Sequence, residues 1–297
     1  MIKLFWNTHN QKQTITDDTN IKNKEATAYK WGIYHRKNSD SWIYEILKKT
    51  QFNIIDSEKD LESGDILVII DSNPENKIDL YEKFKLLCSK ILLFHLGDET
   101  GSYDLSQIYN KCHYVFRPFC SNKYFNNDKV KCIPIGYKSG IKEIKKSNRK
   151  YKWTFTGTPH KSSRQDLLFQ FSDIKPSFCH KTNKFDEKII SVEKMNDIFS
   201  STLYLPCPNG FFHPETYRLY EALQCGCIPI VENAYKYYDR LFPGNPFIKI
   251  DKWADAKLII QEWDKDQILK KQKECKKWWN NYKINLQETI KNKLNNE

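Results

Sequence analysis

The chain has 297 residues, of which 39% are hydrophobic and 14% aromatic, so it can bury a sizeable core and is not a disordered chain. Its 48 Lys and Arg residues against 37 Asp and Glu give a formal net charge of +11, which favours anionic partners. Only 10 glycines and 11 prolines are present, which excludes a collagen-like or low-complexity protein.

The first half of the sequence alternates short apolar runs with helical patterns. Trp42, Ile46 and Leu47 mark an amphipathic helix. The polar segment before it, from Asn7 to about Asp40, is too long for a tight turn, which suggests a functional loop. Near-continuous apolar strands that alternate with helices indicate a parallel sheet covered on both faces. The predicted strands are Ile2 to Trp6, Asp65 to Asp71, Ile91 to Phe94, Tyr114 to Phe116 and Cys132 to Ile135, and a second helix runs through Leu80, Phe84, Leu87 and Cys88.

A Lys-rich segment from Gly140 to Tyr151 contains few apolar residues, and after it the strand–helix pattern restarts. We therefore predict an α/β fold of two doubly wound domains, over residues 1–145 and 146–297, the second including a long terminal helix that returns to the first. The predicted strands are Trp153 to Thr156, Thr202 to Leu205, Cys227 to Val231 and Phe247 to Ile250. The predicted helices are Ser162 to Phe171, Ile189 to Phe199, Pro214 to Gln224, and a last helix with Cys275, Trp279, Tyr282, Leu286, Ile290 and Leu294 on its apolar face.

The nine cysteines are scattered along the chain. Cys112, Cys132 and Cys207 lie in or beside apolar runs, as buried free thiols do. Cys225 and Cys227 are too close together for ordinary zinc ligation, and no second Cys/His pair has zinc-finger spacing. No apolar run approaches the roughly 18 residues of a membrane span, and the N-terminus lacks the apolar region of a signal peptide. We therefore expect a reduced, cytoplasmic chain with no structural metal.

The densest signal lies between Leu205 and Val231, where a strand ends in a Pro/Asn/Gly loop and a helix follows. Pro214 is predicted in the first helical turn, where its missing N–H costs nothing. The helix N-terminus then points its free N–H groups at the carboxyl edge of the sheet, which makes an anion site. Arg218 adds a cation, and Glu221, one turn beyond Tyr217, can reach the hydroxyls of a ligand. The alternative is a capped core helix that carries Arg218 and Glu221 as surface charges.

The run from Tyr217 to Ile230, YRLYEALQCGCIPI, resembles the donor-site signature of exostosin-like glycosyltransferases, whose two facing Rossmann-like domains form the GT-B architecture. Phe155-Thr-Gly157, followed by Arg164, resembles the segment that opens the donor domain of that family. The resemblance covers roughly residues 90–245. Further matches, to the acceptor domain, are Leu96 to Glu99, Phe116 to Phe119 and Ile133 to Tyr137.

The resemblance implies a UDP-sugar site in the second domain. Glu221 matches the Glu that binds the ribose hydroxyls, and Arg164 and Arg218 match cations near the diphosphate. Gly157 lets the backbone approach the phosphates closely. Many retaining GT-B enzymes carry an acidic residue eight positions before the ribose Glu; here His213 stands there, which fits exostosin-like enzymes and leaves it to bind a sugar hydroxyl or phosphate, or to cap the helix. The implied donor-binding residues are Gly157, Arg164, Asn209, Gly210, His213, Tyr217, Arg218 and Glu221, with Asn209 and Gly210 in the loop that holds the sugar.

Transfer from a UDP-sugar expels UDP, so negative charge grows on the leaving diphosphate. Metal-dependent enzymes neutralise this charge through an Asp-x-Asp motif, and the one match here is Asp264-Lys-Asp266. That motif begins the terminal helix, where acidic residues commonly interact with the helix dipole. We therefore expect no metal and no cofactor, with Arg side chains and a helix N-terminus stabilising the leaving group.

Direct displacement with inversion needs a base that deprotonates the acceptor hydroxyl. We look for it in the carboxyl-edge loops of the first sheet, across the cleft from the donor. Asp98 and Glu99 follow a predicted strand directly and are preferred in that order, ahead of Asp40. The alternative for Asp98 and Glu99 is a helix N-cap or a salt bridge to Arg117. The other rivals are His35 and Asp71.

The sequence thus predicts an inverting, metal-independent glycosyltransferase that moves a sugar, with xylose favoured, from a UDP-sugar to a hydroxyl of a glycan or oligosaccharide. No nucleic acid and no integral membrane contact is expected. One alternative is a nucleotide-sugar epimerase of GT-B-like fold. The other is a basic protein that binds polysaccharide or nucleic acid through aromatics such as Trp278, Trp279 and Tyr282. The missing G-x-G-x-x-G fingerprint disfavours an NAD dehydrogenase.

Overall fold

A computed structural model describes residues 1–7, 36–145, 148–183 and 190–295 of the chain. The chain divides into two units. Unit 1 comprises Met1–Ile135 together with Asn285–Glu297, and unit 2 comprises Gly136–Ile284. The division at Gly136 precedes the Lys-rich segment, so that segment belongs to unit 2.

Unit 1 is built on a six-stranded sheet with the strand order β2-β1-β3-β4-β5-β6, in which every pairing is parallel. Its strands are β1 Ile2–Trp6, β2 Asn53–Ile55, β3 Ile66–Asp71, β4 Lys90–His95, β5 Tyr114–Arg117 and β6 Val130–Cys132. Its helices are α1 over residues 36–47, α2 Ile78–Leu87, α3 Ser106–Lys111 and α4 Asn122–Phe125.

Consecutive residues of the central strands of unit 1 are buried, as the apolar runs predict. In β3, residues Leu67 to Asp71 are all at most 1% exposed, so side chains on both faces of the sheet are covered. The strand predicted at Cys132 to Ile135 instead occupies Val130–Cys132, and β2 was not predicted. The short strand β2 lies at the sheet edge and exposes Asn53 and Ile54, so it lacks the apolar run that marks a central strand.

Unit 2 contains a five-stranded sheet with the order β11-β10-β9-β7-β8, again parallel throughout. The predicted strands of this unit are confirmed within one or two residues, whereas β8 and the helices α8 and α9 were not predicted. The strands are β7 Tyr151–Gly157, β8 Ser177–Lys181, β9 Thr202–Cys207, β10 Ile228–Glu232 and β11 Ile248–Ile250. The helices are α5 Arg164–Gln170, α6 Val192–Ser200, α7 Tyr217–Gln224, α8 Tyr237–Leu241, α9 Trp253–Glu262 and α10 Lys265–Asn295.

Helix α7 begins at Tyr217, not at Pro214 as predicted. Side-chain hydrogen bonds hold the preceding residues in another conformation. The buried Glu215 carboxylate accepts hydrogen bonds from the hydroxyls of Tyr220 and Tyr237. The Tyr238 hydroxyl donates to the carbonyl oxygen of Pro214 at 2.9 Å. Buried bonds of this kind fix the loop more strongly than the modest preference of Pro for a first helical turn.

The long terminal helix is confirmed as α10, and its predicted apolar face is buried except at Tyr282, which is half-buried. Cys275, Trp279, Leu286, Ile290 and Leu294 are each at most 3% exposed. The residues from Asn285 onward belong to unit 1. Among the helices of the described ranges, none combines the length and apolar composition that crossing a bilayer requires.

The prediction that all cysteines are reduced is wrong for one pair. Cys120 and Cys132 form a disulfide that links the segment after β5 to the end of β6. The two residues are 12 positions apart, and only the parallel pairing of β5 with β6 brings them together. Disulfides are typical of oxidising compartments, whereas the scattered cysteines had predicted a reducing one.

Candidate functional site

The carboxyl edge of the unit 2 sheet contains a topological switch point. Strand β7 pairs with β8 on one side and with β9 on the other, so the loops after β7 and β9 diverge there. Open parallel sheets bind ligands outside the carboxyl ends of their strands at such points. The loop after β7 begins at Gly157, and the loop after β9 leads into α7.

Gly157 is positioned against Arg218, which lies in the first turn of α7. Gly157 has φ +130°, in the region that favours glycine, and a Cβ there would lie 3.1 Å from Arg218 Nη2. Arg218 Nη2 donates to the carbonyl oxygen of Thr156 at 2.6 Å. The guanidinium also lies 5.1 Å from the centre of the Phe155 ring. The end of β7 therefore holds the Arg218 guanidinium at the switch point, with no side chain between it and the backbone.

A second guanidinium, that of Arg164 at the start of α5, lies close to Arg218. Burial, and secondarily the charge of Arg218, lower the pKa of Arg164 to about 10. Burial also lowers the pKa of Arg218. Arg164 Nη1 donates to the carbonyl oxygen of Thr158 at 3.0 Å, but buried Arg164 Nε and Arg218 Nη1 have no hydrogen-bond partner among the described residues. Two neighbouring cations with unused donors are what an anion site requires.

Glu221 lies on the same helix as Arg218 and is 9% exposed. Burial raises the pKa of Glu221, while the charges of Lys138 and Arg218 and the backbone N–H of Lys138 oppose that rise. Lys138 also places its ammonium 5.8 Å from the centre of the Tyr217 ring. Lys138 was not predicted as a site residue, because the predicted boundary placed the segment around Tyr137 in the first domain. The only local feature of the sequence that could have indicated Lys138 is a basic residue directly after Gly136-Tyr137.

Contacts of Asn209 and His213 also hold the loop between β9 and α7. The backbone N–H of Asn209 donates to Glu232 Oε2 at 3.0 Å. His213 Nδ1 accepts from the backbone N–H of Glu215 at 3.2 Å, and its ring packs edge-on against Tyr237 with centroids 4.8 Å apart. Of the two roles weighed for His213, this geometry is closer to holding the approach to the helix than to binding a sugar. Gly210 is half-buried beside Asn209.

Asp98, the preferred base, lies after β4 in an ion pair with Arg117. Arg117 Nη2 lies 3.3 Å from Asp98 Oδ2, and both side chains are 0% exposed. The other carboxylate oxygen accepts from the backbone N–H of Ser102 at 3.0 Å. Arg117 Nη1 also donates to the Tyr109 hydroxyl at 3.0 Å, which in turn lies 2.8 Å from His95 Nδ1. This buried network matches the alternative interpretation, in which Asp98 serves as the partner of Arg117.

The other candidate bases lie in different surroundings. Glu99 is half-buried next to Asp98. Asp40 is half-buried within helix α1, so the prediction that it ends a long loop is wrong. The Asp71 carboxylate is buried at the end of β3 and accepts from Asn7, Lys77 and Tyr81. His35 lies outside the described residues.

The Asp-x-Asp motif begins α10, where Asp264 Oδ1 accepts from the backbone N–H of Gln267 at 2.8 Å. Asp264 therefore caps the helix, in line with the helix-terminus interpretation. Across the described ranges, no three His, Cys, Asp or Glu residues cluster in a way that could hold a metal ion.

The fold defines an α/β protein with a parallel sheet in each unit, and a cationic candidate site lies at the switch point of the second. Residues 137–297 match the family model described as RXYLT1 C-terminal domain. The match spans more than half of the chain, and the chain therefore belongs to this glycosyltransferase-related family. The matched segment begins at residue 137, one residue after the start of unit 2 at Gly136. The comparison with curated proteins found no match.

Proposed function

We propose that this protein is a glycosyltransferase of the GT-B class, similar to exostosin-like enzymes, that transfers xylose from UDP-xylose to a hydroxyl of a glycan. The observation that carries the proposal is the pair of neighbouring guanidiniums, Arg164 and Arg218, whose buried donors are unused at the switch point beside Gly157. The xylosyltransferase-like character of the matched family supports xylose as the sugar.

The donor site divides into a cationic and an acidic part. Arg164 and Arg218 bind the diphosphate, and Glu221, three positions after Arg218 on α7, accepts hydrogen bonds from the ribose hydroxyls. Lys138 adds a further positive charge close to Glu221. The uridine diphosphate therefore lies against unit 2, with its negative charge at the start of α7.

The leaving group is stabilised by cationic side chains in this proposal. As the bond to the anomeric carbon breaks, negative charge grows on the diphosphate, and fixed guanidiniums stabilise that charge most where water is excluded. We propose that no metal is needed for this step, so turnover survives EDTA. Activity that disappears with EDTA and returns with Mn²⁺ would contradict this account.

Inversion at the anomeric carbon needs one displacement and a base that takes the proton of the acceptor hydroxyl. We propose that unit 1 binds the acceptor and supplies the base. Both carboxylate oxygens of Asp98 accept hydrogen bonds within the protein, and its side chain is 0% exposed. We therefore propose Glu99 or Asp40, ahead of Asp98, as the base. A missing base lowers kcat by about 10²–10⁴-fold while UDP binding is retained. Product chromatography for Glu99→Gln, Asp40→Asn and Asp98→Asn, paired with calorimetry of UDP, identifies the base.

The binding-protein alternative is disfavoured by the packing of the aromatic residues it would use. Trp279 is 1% exposed. Trp278 packs edge-on against Phe242 and Phe247, with centroids 5.3 and 5.0 Å apart, and Tyr282 packs 5.1 Å from Phe242. Trp278 and Tyr282 are half-buried. Because the three rings pack against one another and against Phe242 and Phe247 beside α10, packing accounts for them without a bound base or sugar.

The experiment that tests the proposed function combines donor binding with product formation. Glu221→Ala removes the acceptor for the ribose hydroxyls, which costs about 1.5–3 kcal/mol for hydrogen bonds to a charged group and weakens UDP binding roughly ten- to a hundred-fold. Arg240→Gln, a change on the exposed surface of α8, serves as the control and keeps the parental affinity. Calorimetry that detects no UDP binding to the parent chain contradicts the proposal.

A further inference from the structure

The carboxyl edge of the unit 2 sheet carries an acidic group two strands along from β7, the strand that holds Arg218. Glu232 is the last residue of β10, and β10 pairs with β9 so that Val231 lies opposite Cys207. Strand β9, which ends at Cys207, lies between β10 and β7. The Arg218 charge opposes the rise that burial causes in the pKa of the Cys207 thiol. Neighbouring strands are about 4.8 Å apart, so the ends of β7 and β10 are roughly 10 Å apart, a span that a sugar attached to an anion at Arg218 can bridge.

Two oxygen acceptors meet at this position. Glu232 is half-buried, and its Oε2 accepts from the backbone N–H of Asn209 at 3.0 Å. The side-chain oxygen Oδ1 of Asn209 is buried and has no hydrogen-bond partner in the described part of the chain. A carboxylate beside an unused amide oxygen suits a ligand that donates hydrogen bonds and carries no negative charge of its own. Sugar hydroxyls meet both conditions, and phosphate meets neither.

We propose that Glu232 and Asn209 bind the hydroxyls of the donor sugar and select neutral sugars against uronic acids. This inference rests on the proposed function, since it places the sugar next to a diphosphate held by Arg164 and Arg218. A hydroxyl of xylose donates to the Glu232 carboxylate. The carboxylate of a glucuronosyl group would instead lie beside the half-buried Glu232 carboxylate. Two negative charges repel strongly at short range where water is partly excluded.

The test compares UDP, UDP-xylose and UDP-glucuronate by calorimetry on the parent chain and on Glu232→Gln. The variant keeps an oxygen for the Asn209 N–H but loses the charge. We expect an unchanged affinity for UDP, an affinity for UDP-xylose that falls roughly ten-fold, and an affinity for UDP-glucuronate that rises. Glu262→Gln, the same charge change at an exposed position of α9, leaves all three affinities at the parental values.

Each outcome bears on one of the two proposals. If the parent binds UDP but Glu232→Gln leaves the ratio of UDP-xylose to UDP-glucuronate affinity unchanged, the sugar-selecting role is overturned and the donor site stands. A parent that binds UDP-glucuronate as tightly as UDP-xylose overturns that role as well, whether or not the variant folds. If the parent does not bind UDP, the proposed function fails and the inference fails with it.

Discussion

The Gly157 backbone and the Arg218 guanidinium are matched to each other, since a Cβ at position 157 would lie 3.1 Å from Arg218 Nη2. The same guanidinium group donates to the carbonyl oxygen of Thr156 at 2.6 Å. The end of β7 therefore fixes where the charge of α7 is presented. The strand and the helix are more than 60 positions apart in the sequence and form one site through this contact.

Gly157→Ala is expected to displace Arg218 and to weaken UDP binding by roughly ten-fold. The added Cβ crowds Nη2, and the φ of +130° is one that alanine rarely adopts. Gly244→Ala is the matched control in the same unit, because Gly244 also has a positive φ of +74° but a Cβ there meets nothing within 4 Å. Both variants lower the melting temperature, whereas only Gly157→Ala weakens UDP binding in calorimetry. Equal UDP affinities for the two variants would contradict this role of Gly157.

Arg164→Gln and Arg218→Gln are each expected to weaken UDP binding strongly. The free energy of unfolding of the ligand-free chain is expected to fall by less than the free energy of UDP binding does. Each change removes one of two neighbouring cations, so the loss of that side chain's contacts is partly offset by the loss of the repulsion between the two charges. Each also removes hydrogen bonds to a charged ligand, which contribute about 1.5–3 kcal/mol. Thermal unfolding with and without UDP measures both effects, because a bound ligand raises the melting temperature. A large loss of stability together with unchanged UDP binding would identify the pair as structural.

Asp98→Asn is expected to destabilise unit 1, whatever its effect on turnover. The change leaves the Arg117 guanidinium, which is 0% exposed, without its carboxylate partner. Breaking a buried ion pair at one partner typically costs about 3–5 kcal/mol. Urea unfolding measures this loss, and Glu99→Gln, at the half-buried neighbouring position, is the control with little change. If Asp98→Asn unfolds at the parental urea concentration but has lost turnover, Asp98 is the base after all.

UDP binding is expected to weaken as the pH falls, and the weakening is expected to begin at a pH above the usual pKa of a glutamate. Burial raises the pKa of Glu221 above its usual 4.5, and only the ionised carboxylate accepts from both ribose hydroxyls. In the absence of UDP the sign is the opposite: the contribution of Glu221 to stability is most favourable below pH 4.5 and falls as the pH rises through the raised pKa.

The measurement is the ratio of the UDP affinities of the parent and Glu221→Gln as a function of pH. The titration of UDP itself cancels in this ratio, since both proteins bind the same ligand. The ratio is expected to approach one as the pH falls. A ratio that stays constant between about pH 5 and pH 8 would show that the ionised form of Glu221 is not used.

Reduction of the Cys120–Cys132 disulfide is expected to lower the free energy of unfolding by about 3 kcal/mol, the value for a closed loop of this length in the chain-entropy model. Urea unfolding with and without reductant measures the loss, and Cys120→Ser, unfolded without reductant, should match the reduced parent. Thiol titration of the unfolded parent counts seven free cysteines when the bond is present. A count of nine, the total in the sequence, would contradict it.

The sequence predicted the helices and strands of both units well, because the hydrophobic spacing that marks each of them spans only a few neighbouring residues. Four or five consecutive apolar residues mark a strand that is buried on both faces, and apolar residues at steps of three or four mark one face of a helix. These rules located β3, β4, β9 and α10 without any tertiary information. They missed β2 and β8, whose exposed side chains leave no apolar run.

Side-chain partners, by contrast, were decided only by the tertiary structure. A salt bridge between Asp98 and Arg117 was one of several alternatives that the sequence left open, and the parallel pairing of β4 with β5, which buries both side chains, decided for it. Arg164 and Arg218 each resembled a donor-site cation, but the sequence did not show that they are neighbours with unused donors. The predicted boundary placed Lys138 in the first domain, whereas it lies in unit 2, since a fold boundary depends on which residues pack together. The sequence by itself determined the sheets, the terminal helix and the motif of α7, since short-range hydrophobic spacing encodes them. The burial and charge surroundings that make those residues a site arise only where distant segments of the folded chain meet.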